Sequence, residues 1–291
     1  MVYIRIKRIK NNDYAYLVKN TWIDKRPKQT IVKYLGNASR LRIDDIPEEY
    51  MTDRIRLFLQ RMNRNKNELN IYDKAIQDNI FNLLKYHDIN QLIKVYQSKK
   101  DFELADFYEG IIIPVLHKIG DLWEKGILDV ATEHVCSNAT SNFISIINSK
   151  VDKTNYHNGD RLKIIICTPE GELHNIGCEI IGSLLIERGY KVLDISPSMP
   201  NDSIAKYVRE IKPDLTIITF TLKENANSVV RLINQIKKTD KLFRIVVGGS
   251  GSSALKTRTK DIANINDKSI FILHDVTIRY FIKNIKKFLK D

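Results

Sequence analysis

Cysteine is scarce in this chain: Cys136, Cys167 and Cys178 are all it has, and no two of them stand in a CxxC spacing. An odd and scattered set excludes a disulfide framework and a zinc ribbon, and it makes the cytoplasm the default compartment. Long apolar runs are missing too. No segment approaches the roughly 20 residues that a membrane-spanning helix needs, and no signal-peptide pattern opens the sequence. Two nucleotide-binding loops are absent: there is no GxxxxGKS/T, and glycines at 171, 177 and 182 do not form GxGxxG. Acidic residues are thin at one end. Residues 1–42 hold eleven Lys and Arg against Asp13 and Asp24, so most of the net charge of +12 sits there. Clustered positive charge of this kind points to a polyanionic partner.

What is present divides into three parts. Over residues 2–10 Val2, Ile4 and Ile6 alternate with Tyr3, Arg5 and Lys7, and 14–18 and 30–35 have a similar strand character. The pattern predicts a three-stranded antiparallel meander ending at Gly36, whose outer face carries Arg, Lys and Tyr together. Such a face suits phosphate contacts and base stacking, so DNA is the partner expected for residues 1–42. The plainer reading is a solvated sheet packed on its neighbour. A helix is expected from Pro47 to Asn65, with Met51, Ile55, Phe58, Leu59 and Met62 as its apolar stripe. Residues 1–66 thus read as a basic module for nucleic-acid binding or output.

Residues 71–150 read as a four-helix bundle, with helices near 71–86, 90–98, 101–125 and 129–148 and short turns between them. Pro114 should kink or divide the third. The fourth has small residues (Ala131, Ser137, Ala139, Thr140, Ser141) that would let a flat object approach its backbone. A polar linker over 151–161 follows. From residue 161 to 291 strands (162–167, 191–195, 214–219, 244–248, 269–273) alternate with helices (175–189, 202–211, 224–238, 252–263, 275–289). Five βα units of this length predict a doubly wound α/β domain of flavodoxin-like order 2-1-3-4-5.

In that order the loops after strands 1, 3 and 4 converge, which is where open α/β sheets bind ligands. The first carries Glu172 and His174, the second Thr219 and Thr221, the third Gly248 and Gly249. Imidazole is the commonest ligand of mid-row metals, and a nearby carboxylate fixes which ring nitrogen points outward. Glu172-x-His174-x-x-Gly177, Thr219-x-Thr221 and Gly248-Gly249 resemble the DxHxxG, SxL and GG pattern of cobalamin (B12)-binding domain proteins. The preceding helices resemble the cap over the corrin ring. The resemblance implies base-off cobalamin with cobalt held by His174, Glu172 behind it, Thr219 on the displaced dimethylbenzimidazole and the glycines along its slot.

Trp123 followed after nine residues by Glu133-His134 resembles the Wx9EH signature of CarH-like adenosylcobalamin-dependent photoreceptor regulators. That likeness implies 5′-deoxyadenosylcobalamin under Trp123, Glu133 and His134, a homo-oligomer whose state depends on light, and control of DNA binding or transcription rather than enzyme activity. The alternatives are a corrinoid carrier protein for methyl transfer and a light-independent cobalamin sensor. No barrel accompanies the domain to house mutase chemistry.

Overall fold

The computed structural model describes residues 2–9, 12–23, 26–38, 41, 43–52, 55–56, 58–59, 71–99, 102–151, 162–262, 268–274 and 276–289. The chain forms two compact units, Met1–Ala75 and Ile76–Asp291. Among the described residues, no helix is long and apolar enough to cross a membrane.

The first unit is an antiparallel meander of β1 (Val2–Ile9), β2 (Asn12–Ile23) and β3 (Arg26–Asn37) in that order. One face buries Ile4, Ala15 and Leu17 against Leu41, Ile46, Ile55 and Leu59. The helix expected from Pro47 does not start there. A 3-10 turn over Glu48–Tyr50 ends at Met51, which is extended. Residues 55–56 and 58–59 are helical, and the Thr52 hydroxyl accepts from the Ile55 N–H while its carbonyl accepts from the Arg56 N–H. A threonine cap competes with the continuous helix that apolar spacing alone suggests. Ile55 and Leu59 of the stripe are buried in the core, while Met62 lies outside the described residues.

The helical part comprises α1 (Ile71–Lys85), which enters the second unit at Ile76, then α2 (Ile89–Ser98), α3 (Leu104–Phe107), α4 (Ile113–Glu124) and α5 (Val130–Ser149). Between α3 and α4, Tyr108–Ile112 form a π turn. Pro114 has no N–H to give the carbonyl four residues back, and its ring crowds that carbonyl. The widened turn accommodates both effects, and the Gly110 carbonyl accepts instead from Gln77 Nε2 at 3.3 Å. Within α5, Ala139 and Thr140 are buried and the Thr140 hydroxyl bonds back to the Cys136 carbonyl. Part of the small-residue surface expected to meet a ligand therefore serves close packing inside the unit.

The α/β part has a five-stranded parallel sheet: β4 (Lys163–Cys167), β5 (Lys191–Asp194), β6 (Leu215–Thr219), β7 (Ile245–Gly248) and β8 (Ile270–Ile272), in the spatial order β5-β4-β6-β7-β8. Helices α6 (Ile176–Glu187), α7 (Asn201–Ile211), α8 (Ala226–Thr239) and α9 (Ile278–Lys283) flank it. Ile164, Ile166, Ile217 and Val246 share one core with Phe107, Tyr108 and Phe143 of the helical part, so cap and sheet are packed together. Across that core the buried Tyr108 hydroxyl meets Ser183 Oγ on α6 at 3.0 Å. Burial keeps this phenol protonated, its pKa pushed far above the ordinary value. Arg279 on α9 pairs with Asp106 on α3.

Two expected helices are shorter or different. Residues 252–263 form 3-10 turns, Ser250–Leu255 and Thr259–Asp261, with 263 outside the described residues. The Gly251 N–H donates to the Phe220 carbonyl at 3.2 Å, which ties this segment to the end of β6. At the C-terminal end α9 is six residues long, capped by Thr277, and gives way to a 3-10 turn over Ile285–Phe288.

Candidate functional site

The segment from Thr168 to Asn175 leaves β4 at the carboxyl edge of the sheet and enters α6. Its centre is Glu172, which is fully buried. A carboxylate withdrawn from water must be met by donors, and five reach this one. Oε1 accepts from the His174 backbone N–H at 3.0 Å and from His174 Nδ1 at 2.5 Å. Oε2 accepts from the N–H groups of Thr221 and Leu222 at 2.9 and 3.0 Å and from Asn225 Nδ2 at 3.0 Å. Burial by itself would raise the Glu172 pKa, but the bonds from His174, Leu222 and Asn225 outweigh it and hold the acid down at about 2.

His174 is the exposed half of the pair. Its side chain is 55% exposed against 0% for Glu172. With Nδ1 engaged by the carboxylate, Nε2 is the nitrogen left for a ligand. The Glu172 bond raises the imidazole pKa, burial works against it, and the Glu133 carboxylate on α5 adds to the upward pull.

The loop is fixed on both sides. Thr168 Oγ1 donates to the Glu172 carbonyl and accepts from the Ser198 N–H, while Ser198 Oγ accepts from the Gly171 N–H. Asn201 Oδ1 accepts from the Glu170 N–H, and Ser228 Oγ donates to the Glu170 carbonyl. A loop so braced presents its imidazole in one orientation, which a metal ligand needs.

The other expected site residues take several positions. Thr219, at the end of β6, is buried with its hydroxyl 2.9 Å from Cys178 Sγ. Its hydroxyl is therefore already partnered within the protein, by a residue whose spacing carried no signal. Thr221 acts through its main chain, donating to Glu172, so the departure of its side chain from leucine does not affect that bond. Gly177 and Gly248 face open space: a Cβ on either would meet nothing within 4 Å. Gly249 differs. Its φ is +106°, and a Cβ there would lie 2.3 Å from the Phe220 carbonyl oxygen. This glycine is required by the approach of its own backbone to Phe220, whatever else it lines. Gly249→Ala is expected to cost about 2–4 kcal/mol, combining left-handed strain and overpacking; a change below about 1 kcal/mol in denaturant unfolding would contradict the contact.

On the helical side, Trp123 is 46% exposed near the end of α4. Glu133 Oε2 lies 2.7 Å from His134 Nδ1, and Glu133 Oε1 accepts from Ser137 Oγ at 2.6 Å. Ile127 and Val130 are exposed beside them, and Leu173 and Leu222 flank His174 and Thr221 with exposed apolar side chains. Leu222, Asn225 and Cys178 are contributors that sequence reasoning missed. Asn225 carries no motif and reaches Glu172 only because the β6–α8 connection folds over the loop.

Among the described residues, no three metal-ligating side chains cluster. A lone, oriented imidazole would supply one ligand to a metal whose other ligands come from elsewhere than these side chains, and a Cβ added at Gly177 or Gly248 would meet nothing within 4 Å. Helical cap, parallel sheet and a carboxylate-backed histidine at the sheet's carboxyl edge define a ligand-binding protein of the α/β class.

Residues 162–267 match the B12 binding domain, and residues 77–148 match a second B12 binding domain family that covers the helical part. The protein therefore contains a B12-binding domain together with its helical companion. It is similar to a corrinoid protein of Desulfitobacterium hafniense, 22% identical over 53% of this chain and 73% of that protein. It is also similar to a trimethylamine corrinoid protein of Methanosarcina mazei, 26% identical over 46% of this chain. The match spans 59% of the latter's length. Among solved structures, the monomethylamine corrinoid protein of Methanosarcina barkeri shares the fold, with a TM-score of 0.52 at 15% identity over 66% of this chain and 91% of that one.

Proposed function

We propose that the protein is a corrinoid carrier for methyl transfer, binding cobalamin in the base-off form with Nε2 of His174 as the lower ligand. The observation that carries cobalamin binding is the Glu172–His174 pair: a buried carboxylate grips Nδ1 at 2.5 Å and leaves Nε2 for a ligand on a side chain that is 55% exposed. The bound corrinoid would supply a cobalt that accepts and gives up a methyl group. This chain's part is to fix the imidazole, to hold its Nδ1 proton toward Glu172, and to keep the lower face dry behind Leu173 and Leu222. Gly177 and Gly248, where an added Cβ would meet nothing within 4 Å, would line the space for the displaced base. The chemistry of making and breaking the methyl bond would belong to partner enzymes, so the chain is not itself an enzyme in this reading. Relatives that bear the name corrinoid protein support it.

The light-sensor reading rests on Trp123, Glu133 and His134. The corrinoid relatives carry no photoreceptor name, and Glu133 and His134 are bonded to each other. Loading the purified chain in darkness with methyl- or adenosylcobalamin separates the readings. The carrier predicts methylcobalamin binding at least as tight as adenosylcobalamin, with no change of mass on green illumination. A preference for the adenosyl form with a light-driven change of assembly would replace the carrier with the sensor.

Acid should weaken the ligand. A proton and cobalt compete for Nε2, and Glu172 raises the His174 pKa from its ordinary 6.5. Cobalamin affinity is therefore expected to fall as pH drops through that raised value, by up to about tenfold per pH unit below it. In Glu172→Gln the fall should move to lower pH, because the carboxylate that favours imidazolium is gone. Titrations of affinity against pH that superimpose for wild type and variant would contradict the assignment.

A further inference from the structure

The basic opening of the chain lies outside the residues that match the B12 binding domains. In the first unit Arg5 stands opposite Tyr16, Lys7 opposite Tyr14, and Tyr16 opposite Tyr34. Directly opposed residues of antiparallel strands lie on the same face. Ile4, Ala15 and Leu17 take the opposite, buried face, so Arg5, Lys7, Tyr14, Tyr16 and Tyr34 share the outer one. The Arg5 guanidinium reaches across β2 to Gln29 Oε1 on β3 at 2.8 Å, which lays it over that same face.

Three tyrosines meet there. The Tyr34 ring centroid is 5.2 Å from Tyr16 and 6.2 Å from Tyr14. Tyr34 is 54% exposed, and Ile31 on the same strand is 66% exposed. A merely solvated face would mix both signs of charge. Here Asp13 is the one acid among the described residues of the three strands, and it is held by Arg8 at 2.9 Å. What remains is a row of flat rings bordered by cations. Cations neutralise phosphates, and the exposed Tyr34 ring, with the half-buried Tyr14 and Tyr16 against it, offers a stacking platform that any base can use once it is out of a duplex. An acidic protein would satisfy the cations but would leave the rings without partners.

We propose that this face binds single-stranded nucleic acid, bases stacking on Tyr34, Tyr16 and Tyr14 while Arg5 and Lys7 contact the backbone. The test is fluorescence anisotropy of the full chain with a labelled single strand of about 20 nucleotides, longer than one such site, and with its duplex. The single strand should bind at least tenfold tighter than the duplex, with log affinity falling linearly in log salt. Tyr34→Ala should weaken binding about fivefold or more with the salt slope kept, and Tyr34→Phe should restore it. Arg5→Gln with Lys7→Gln, two exposed positions, should flatten the slope by about one to two units while cobalamin affinity stays as in wild type. Absence of binding, tighter binding of the duplex, equal binding of polyglutamate, or variants that bind like wild type would each overturn the proposal.

Discussion

His174→Ala is expected to weaken cobalamin binding by at least about 100-fold, the upper end of what losing even the group behind a metal ligand costs. Optical spectra of whatever binds should be those of cobalt without a protein imidazole. The fold should survive, because the side chain is 55% exposed and its removal opens no cavity. Its backbone N–H still reaches Glu172 Oε1 in the variant. Binding within a few-fold of wild type, with an unchanged spectrum, would show that the imidazole does not hold the metal.

Glu172→Ala should do two kinds of damage at once. The carboxylate is the common acceptor for Thr221, Leu222, Asn225 and His174, so its removal takes the acceptor from three part-buried backbone N–H groups, those of His174, Thr221 and Leu222. The expected loss is about 3–5 kcal/mol, or a melting temperature lower by on the order of 10 °C for a unit of this size. Linkage agrees in sign and size. A carboxylate held at about 2, down from 4.5, contributes about 3 kcal/mol that is present above the ordinary value and lost as pH falls from there toward 2. Wild type should therefore lose stability across that acid window and Glu172→Ala should not lose this part. An alanine variant that melts within about 2 °C of wild type would contradict the hydrogen-bond arrangement around Glu172.

Much of this site is legible in the chain because the loop is local. Glu172 and His174 are two residues apart, their bond follows from that spacing, and the apolar run before them marks the strand that delivers them. Ile164 to Cys167 are all buried, as such a run suggests. What is not legible comes from elements distant in sequence. The Thr219 hydroxyl meets Cys178 across the sheet edge, and no periodicity ties the two residues together. Asn225 sits fifty-three positions from Glu172. Gly248-Gly249 reads as a pair, yet one glycine leaves space and the other avoids a collision with Phe220; only the backbone angle separates the two roles.

The helices show the same division. Pro114 announces an interruption, but the form it takes, a π turn with the freed Gly110 carbonyl given to Gln77, depends on a neighbouring helix. The apolar spacing after Pro47 and after Ser252 suggests helices where the structure has shorter turns, because a Thr52 cap and the Gly251–Phe220 contact outweigh local periodicity. Trp123-x9-Glu133-His134 is the converse case. The pattern is present, but one pattern does not choose between a roof for an adenosyl group and the edge of a cap, and the named relatives are corrinoid proteins.

The most direct test of the central claim is the electron paramagnetic resonance spectrum of the cobalt(II) form bound to protein grown on 15N-histidine. If Nε2 of His174 holds the metal, each high-field line, split into three by a 14N ligand, should become a doublet, and His174→Ala should abolish the effect. Triplets that persist in the labelled protein would mean that the cofactor's own benzimidazole is still on cobalt and that His174 is not its ligand.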